Sequence, residues 1–134
     1  MQAHPVRLSP GDDLRDALED VLRQTGMPAA FVIQGIGSLG IAQLRFAGNE
    51  EATELRDDLE ILTLAGSLSS DGAHLHMSVA DPRGRMFGGH VGRGCFVRTT
   101  AEILVVLLPE HRFSRELDSA SGFMELVIRS SSTG

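Results

Sequence analysis

The sequence predicts an α+β fold in which an antiparallel or mixed β-sheet is packed by one main N-terminal helix, and three observations predict it. Apolar and polar residues alternate in several segments, residues 41–46 among them, as they do in strands half covered by a core. Only residues 12–24 carry clear helical spacing. The connections between segments are short, so the strands succeed one another without the crossovers that βαβ units need.

Taken in order, residues 6–8 can start a short strand, and Ser9-Pro10 suits a helix start, with Ser as N-cap and Pro in the first turn. Leu14, Ala17, Leu18, Val21 and Leu22 then fall on one helical face. Asp12 and Asp13 complement the positive end of that helix, Arg23 the negative end, and Gly26 can close it. Residues 29–34 read as an apolar strand running into the glycine turn Gly35-Ile36-Gly37-Ser38-Leu39-Gly40, and 41–46 as the next strand. An acidic loop over 48–58, a strand over 59–68 and a turn over 69–72 come next, and then two histidine-bearing strands. Residues 101–108 are nearly all apolar and predict a central strand covered on both sides, by the helix and by another subunit. A loop or short helix over 110–121, a last strand over 123–128 and a mobile tail over 130–134 complete the reading.

A chain of 134 residues fits a single domain, 1–134, large enough to bury about two thirds of its unfolded surface. Cys95 is the only cysteine, so no internal disulfide can form; with no cleavable apolar leader, a reducing cytoplasm is expected. No apolar run approaches the roughly 20 residues of a membrane helix. Twelve basic against eighteen acidic residues give a net charge of −6, which opposes binding to a phosphate backbone unless the cations are segregated. Arg83, Arg85, Arg93 and Arg98 do cluster along the chain without an intervening carboxylate, which points to a locally positive, anion-binding region.

His74-Leu75-His76 is the most informative motif, because residues two apart on a strand point to one face. Pairing Asp81 with Arg85 around a tight turn sets Val79 against Phe87, Met77 against Gly89, Leu75 against Val91 and His76 against His90. That register puts Leu75, Met77, Val79, Phe87 and Val91 on one face and His74, His76 and His90 on the other. Slipping it by one residue mixes the two sets, so the pattern selects the register. Three neutral imidazoles suit a divalent metal, zinc best, with nickel, copper or iron as alternatives, and leave a fourth position open. The bland alternative is a set of ordinary polar residues on a sheet surface.

Two motifs mislead. Gly35-Ile36-Gly37-Ser38-Leu39-Gly40 matches the dinucleotide pattern GxGxxG, with Asp57 and Asp58 downstream, but residues 41–46 alternate like a strand instead of opening a helix. Its expected role is a glycine turn, or a loop in which Gly37 and Ser38 offer backbone N–H groups to a small anion. Pro82-Arg83-Gly84-Arg85 resembles an AT-hook core but lacks its second proline and sits in a hairpin turn. Cys95 lacks an activating neighbour in sequence and reads as structural. Glu102 opens the apolar strand, where it could complete or support a metal shell, or bridge to an arginine.

The order of the glycine segment, Leu59-Glu60-Ile61-Leu62-Thr63-Leu64-Ala65-Gly66-Ser67-Leu68, His74-Leu75-His76-Met77-Ser78-Val79-Ala80-Asp81, Gly88-Gly89-His90 and Thr100-Ala101-Glu102 resembles the PPC domain, named for plants and prokaryotes. The resemblance implies a compact α/β domain forming a homotrimer. It also implies, in some prokaryotic members, a metal held by histidines at the positions of His74, His76 and His90. Plant members join the domain to AT-hooks and bind DNA, whereas this sequence has no separate AT-hook and no basic tail. A trimer would carry −18, three times the chain's −6, so duplex binding should be weak at physiological salt. The function expected is a cytoplasmic homotrimer whose three-histidine metal site binds or transforms a small anionic ligand near Arg83, Arg85 and Arg93, with Glu102 transferring protons if the site is catalytic. A DNA-binding or transcription-associated protein and a non-catalytic scaffold for protein partners are the alternatives.

Overall fold

The computed structural model describes residues 1–131, and the end of the expected tail lies outside them. Eight strands and one helix run in the order β1 (Gln2–Leu8), α1 (Leu14–Thr25), β2 (Ala30–Arg45), β3 (Thr53–Ser69), β4 (Gly72–Ala80), β5 (Met86–Val91), β6 (Phe96–Leu107), β7 (His111–Leu117) and β8 (Met124–Ser130). The first six form one antiparallel sheet in the order β1-β6-β2-β3-β4-β5, and β7 and β8 pair as a separate hairpin. The α+β expectation holds.

The helix forms on the predicted face, burying Leu14, Leu18, Val21 and Leu22. Its start is corrected. Asp13, not Ser9, is the N-cap, accepting from the Asp16 N–H at 3.0 Å, while Ser9 and Asp12 close a turn ahead of it. Gly26, at φ 69°, ends the helix in the left-handed conformation as expected.

The glycine turn is also corrected. Residues 30–45 are one continuous strand, paired with β3 on one side and β6 on the other, with register shifts at 32–34, 37–39 and 39–41. Gly37 has φ 147°, and a Cβ there would meet the Thr100 carbonyl and Ala101, so glycine permits close passage to β6 where a loop was expected. Ser38 is buried, its hydroxyl 2.5 Å from that of Thr99 and accepting the Thr99 N–H at 3.1 Å. Gly37 and Ser38 therefore spend their groups on the sheet and present no anion loop.

The far end of β2 bends back to pair with β5 through Leu44 with Val91 and Arg45 with His90, so β2, β3, β4 and β5 close into a ring. Inside it, Leu39, Leu44, Leu64, Leu75, Val79 and Val91 pack with the helix as a single core. The acidic loop of 48–58 is shorter than expected because β3 begins at Thr53, and the segment expected as a loop or short helix at 110–121 contains the strand β7. Phe113 anchors that hairpin, nearly fully buried and edge-on to Phe31 at 5.5 Å.

The central strand β6 lies between β1 and β2, but within the chain it is covered on one side only. Ala101, Ile103, Val105 and Leu107 face the core, whereas Leu104 joins Ile33, Ile36 and Leu62 on an open sheet face, at 38, 52, 51 and 40% exposure respectively. Among the described residues no helix is long and apolar enough to cross a membrane.

Candidate metal centre

The β4–β5 hairpin is fixed at its turn by Asp81. Its carboxylate accepts the backbone N–H groups of Arg83 and Arg85 at 2.9 Å each and the Arg85 Nε at 2.7 Å, and Gly84 adopts φ 77°. Burial disfavours the ionised carboxyl, but these hydrogen bonds outweigh it and hold Asp81 below the ordinary carboxylate range. With the turn set, His76 pairs with His90, Met77 with Gly89 and Val79 with Phe87, the register that the apolar pattern selects. Leu75, Met77 and Val79 go into the core, and the opposite face carries the histidines.

His74, His76 and His90 converge. Their candidate ligand nitrogens all lie within 4.8 Å of one another, the one such group of three among the described residues. The ring centroids are 4.9 Å apart for His74 and His76, 4.5 Å for His76 and His90, and 5.5 Å for His74 and His90. A tetrahedral ion bound at 2.0–2.1 Å draws its ligand nitrogens to about 3.4 Å apart, so binding would bring them closer than the 4.8 Å that bounds them here. The donor set fits a divalent transition metal: three imidazoles, no thiolate, and no carboxylate cage of the kind calcium or magnesium prefers.

The surroundings favour the neutral form of two of the rings. Burial lowers the His74 pKa first, then Arg115, His76 and His90, with Glu125 opposing them. For His90, burial acts first, then Arg45 and His76. Neutral imidazole is the ligating form, so both shifts favour metal over proton.

Beside the trio opens a cleft of about 640 Å³ whose walls include His74, His90, Arg15, Arg45 and Arg115, with Glu50 and Asp71. These are not the arginines that the sequence singles out. Arg93 turns to the helix and pairs with Asp16 and Glu19; Arg85 is held by Asp81, and Arg98 by Asp58 at 2.9 Å. Arg83 is exposed at the hairpin turn, past the end of β4 at Ala80, and Ala80 is itself about 13 Å of extended strand from His76. Glu102 is exposed on β6, paired with Ile36 of β2, nine residues along that strand from Arg45, which pairs with His90, and it does not join the histidines within the chain. Cys95 is fully buried, its thiol pushed up to about 11 chiefly by burial, which fits a structural role.

Arg45 and Arg115 escape a reading of the sequence. Arg45 is there only one member of an alternating strand, and its approach to His90 depends on the ring closure between β2 and β5. Arg115 lies in the segment expected as a loop, although Phe113 and its neighbours alternate as a strand does.

A small antiparallel α+β domain with a three-histidine group on one hairpin is thus defined. The chain belongs to the Plants and Prokaryotes Conserved (PCC) domain family, whose model matches residues 1–109. Among solved structures it is similar to a hypothetical protein from Salmonella, with 40% identity, a TM-score of 0.94, and coverage of 97% of this chain and 94% of that one. It is also similar to a metal-containing protein from Archaeoglobus fulgidus, with 26% identity, TM-score 0.78, and coverage of 95 and 94%. A Ralstonia eutropha chain at 25% identity, TM-score 0.80 and coverage of 92 and 89% bears the name "putative DNA-binding protein". Among curated proteins, the bifunctional protein GlmU of a Synechococcus strain is 48% identical over 129 residues; these are 96% of this chain but 20% of that protein, so the chain spans about a fifth of its relative's length.

Proposed function

We propose that this chain is a metal-dependent ligand-binding domain, homotrimeric and cytoplasmic, which holds a divalent ion, zinc by preference, on His74, His76 and His90 and takes a small anionic ligand in the adjoining cleft. The observation that carries this is the convergence of three ligand nitrogens within 4.8 Å on a hairpin whose register is locked by the core. The metal-containing relative from Archaeoglobus supports it. When bound, the ion would supply a Lewis-acidic position open to a fourth ligand. The chain's own residues position the imidazoles, shift His74 and His90 toward the neutral form and line the cleft with cations.

Binding is preferred to catalysis because among the described residues no carboxylate joins the three histidines as a convergent group: Glu125 acts on His74 only as a nearby charge, Glu102 lies on β6, and Asp71 accepts the Arg115 backbone N–H at 2.9 Å. The open apolar face at Ile33, Ile36, Leu62 and Leu104 supports assembly.

Elemental analysis of protein purified without a histidine tag tests the metal. About one divalent ion per chain is expected, lost on His76→Ala; a content far below one that this substitution leaves unaltered would overturn the reading. DNA binding is the second reading, favoured by the Ralstonia relative's name and opposed by the net charge of −6. A salt titration on duplex DNA decides it: binding near 50 mM salt that weakens steeply as salt rises would favour DNA.

A further inference from the structure

Arg115 stands in an unusual relation to the metal trio. Its Nη1 lies 3.5 Å from His74 Nδ1, its Nη2 donates to the Met124 carbonyl at 3.0 Å, and among the described residues no carboxylate lies within ion-pair distance of it. A guanidinium has donors only, so the contact requires His74 Nδ1 to be the acceptor, with the ring proton on Nε2. A metal cannot share that arrangement. Bound at Nδ1, the ion takes the same lone pair; bound at Nε2, it drives the proton onto Nδ1, leaving two donors face to face. Whichever nitrogen ligates, loading the ion ends the Arg115–His74 contact and releases a guanidinium whose remaining partner is one carbonyl.

The released group has one evident use. It sits in the wall of the cleft that His74 and His90 also line, with Arg45 on the same cleft and bonded to the neutral Asn49 carbonyl at 3.1 Å. Arg15, the third cation there, is already paired with Glu19 at 3.0 Å. With a divalent ion in place, the cleft is positive despite Glu50 and Asp71, and a forked donor beside an open metal position suits a group bearing two oxygens. Arg115 also lies beyond residues 1–109 that the family model matches, on the hairpin that Phe113 anchors.

We propose that Arg115 is a metal-gated anchor for a small oxyanion, a carboxylate or phosphate group: without metal it is held on His74, and with metal it is freed to bind the anion. This rests on the metal reading above. Linkage then requires the anion to tighten metal binding by the same factor as the metal tightens anion binding.

Calorimetric titration of untagged protein, metal-free and zinc-loaded, with inorganic phosphate and separately with malonate, tests it and tells the two anion classes apart. At least one anion should bind the zinc form about tenfold more tightly than the metal-free form. Arg115→Met should weaken that anion about tenfold in the zinc form and hardly at all without zinc, while tightening zinc itself in anion-free buffer. Zinc titration of the unaltered protein at rising anion concentration gives a check that needs no variant: zinc affinity should rise with the anion. The proposal falls if neither anion binds the zinc form, if Arg115→Met has equal or no effect in the two forms, or if zinc affinity ignores the anion. Failure of the protein to take up zinc at all would show separately, as a stoichiometry near zero, and would sink the metal reading with it.

Discussion

At the scale of single residues, the chemistry depends on which side chains have already been committed. Arg93 lies three positions after His90 in sequence, yet it is bound to Asp16 and Glu19 on the helix, whereas Arg115, far off in sequence, touches His74. Linear clustering of arginines is therefore a poor guide to the field at the site, because charge is cancelled by partners that only the fold supplies. The histidines are legible for the opposite reason: their placement derives from an alternation of period two that the core enforces. Cys95 gives a direct check on burial. Its thiol, raised to about 11, stays protonated at pH 8, so iodoacetamide should leave it intact in the native protein and modify it rapidly in denaturant. Mass spectrometry of the alkylated protein reads the result; fast native labelling would mean that the helix and the strands around it open readily.

At the scale of elements, two glycines show why the strands can run where they do. A Cβ on Gly66 would collide with the His74 carbonyl oxygen and Leu75 Cα, so β3 could no longer lie against β4 beside the first of the three candidate metal ligands. Gly66→Ala is expected to cost at least about 2 kcal/mol in denaturant unfolding and also to weaken zinc, because relief of the clash must move the His74 backbone. Loss of stability with unchanged zinc affinity would mean that β3 gives way instead. The β7–β8 hairpin makes the companion case. Phe113→Ala should cost about 3–5 kcal/mol and loosen the wall that carries Arg115. On the same hairpin, Arg129 and Ser114 hold the Glu116 carboxyl at about 2. Because that pKa is depressed on folding, its contribution is present above the ordinary carboxylate range and is lost as pH falls through about 2. Being fully exposed, the pair should matter less than Phe113, and acid melts of Glu116→Gln against the parent would show whether it matters at all. Gly37 is the second glycine, and it explains why these elements are only partly legible in the sequence. The long strand β2 reads as two strands and a turn when glycines are taken as punctuation, whereas register shifts and the close approach of Gly37 to β6 account for them.

At the scale of the whole molecule, the sheet has one covered face and one open one. The helix covers the inner side, while Ile33, Ile36, Leu62 and Leu104 are left between 38 and 52% exposed on strands that sit in the middle of the sheet. The apolar run at 101–108 calls for cover on both sides, and the chain alone supplies only the first layer. A patch of this kind on central strands is costly in water and is relieved when copies meet. Self-association also has to overcome repulsion between chains of net charge −6, so it should be strengthened by salt, opposite to the response expected of DNA binding. Ile36→Asp places a charge in the patch without touching the core, the helix or the histidines. Light scattering coupled to size exclusion should give the mass of a trimer for the unaltered chain and of a monomer for the variant, with zinc content per chain preserved. A monomeric parent at tens of micromolar protein and 0.3 M salt would defeat the assembly. Loss of zinc on dissociation would instead mean that the metal site needs a neighbouring subunit, since within one chain the three histidines sit on β4 and β5, whereas Ile36 lies nine residues along β2 from Arg45, the residue paired with His90.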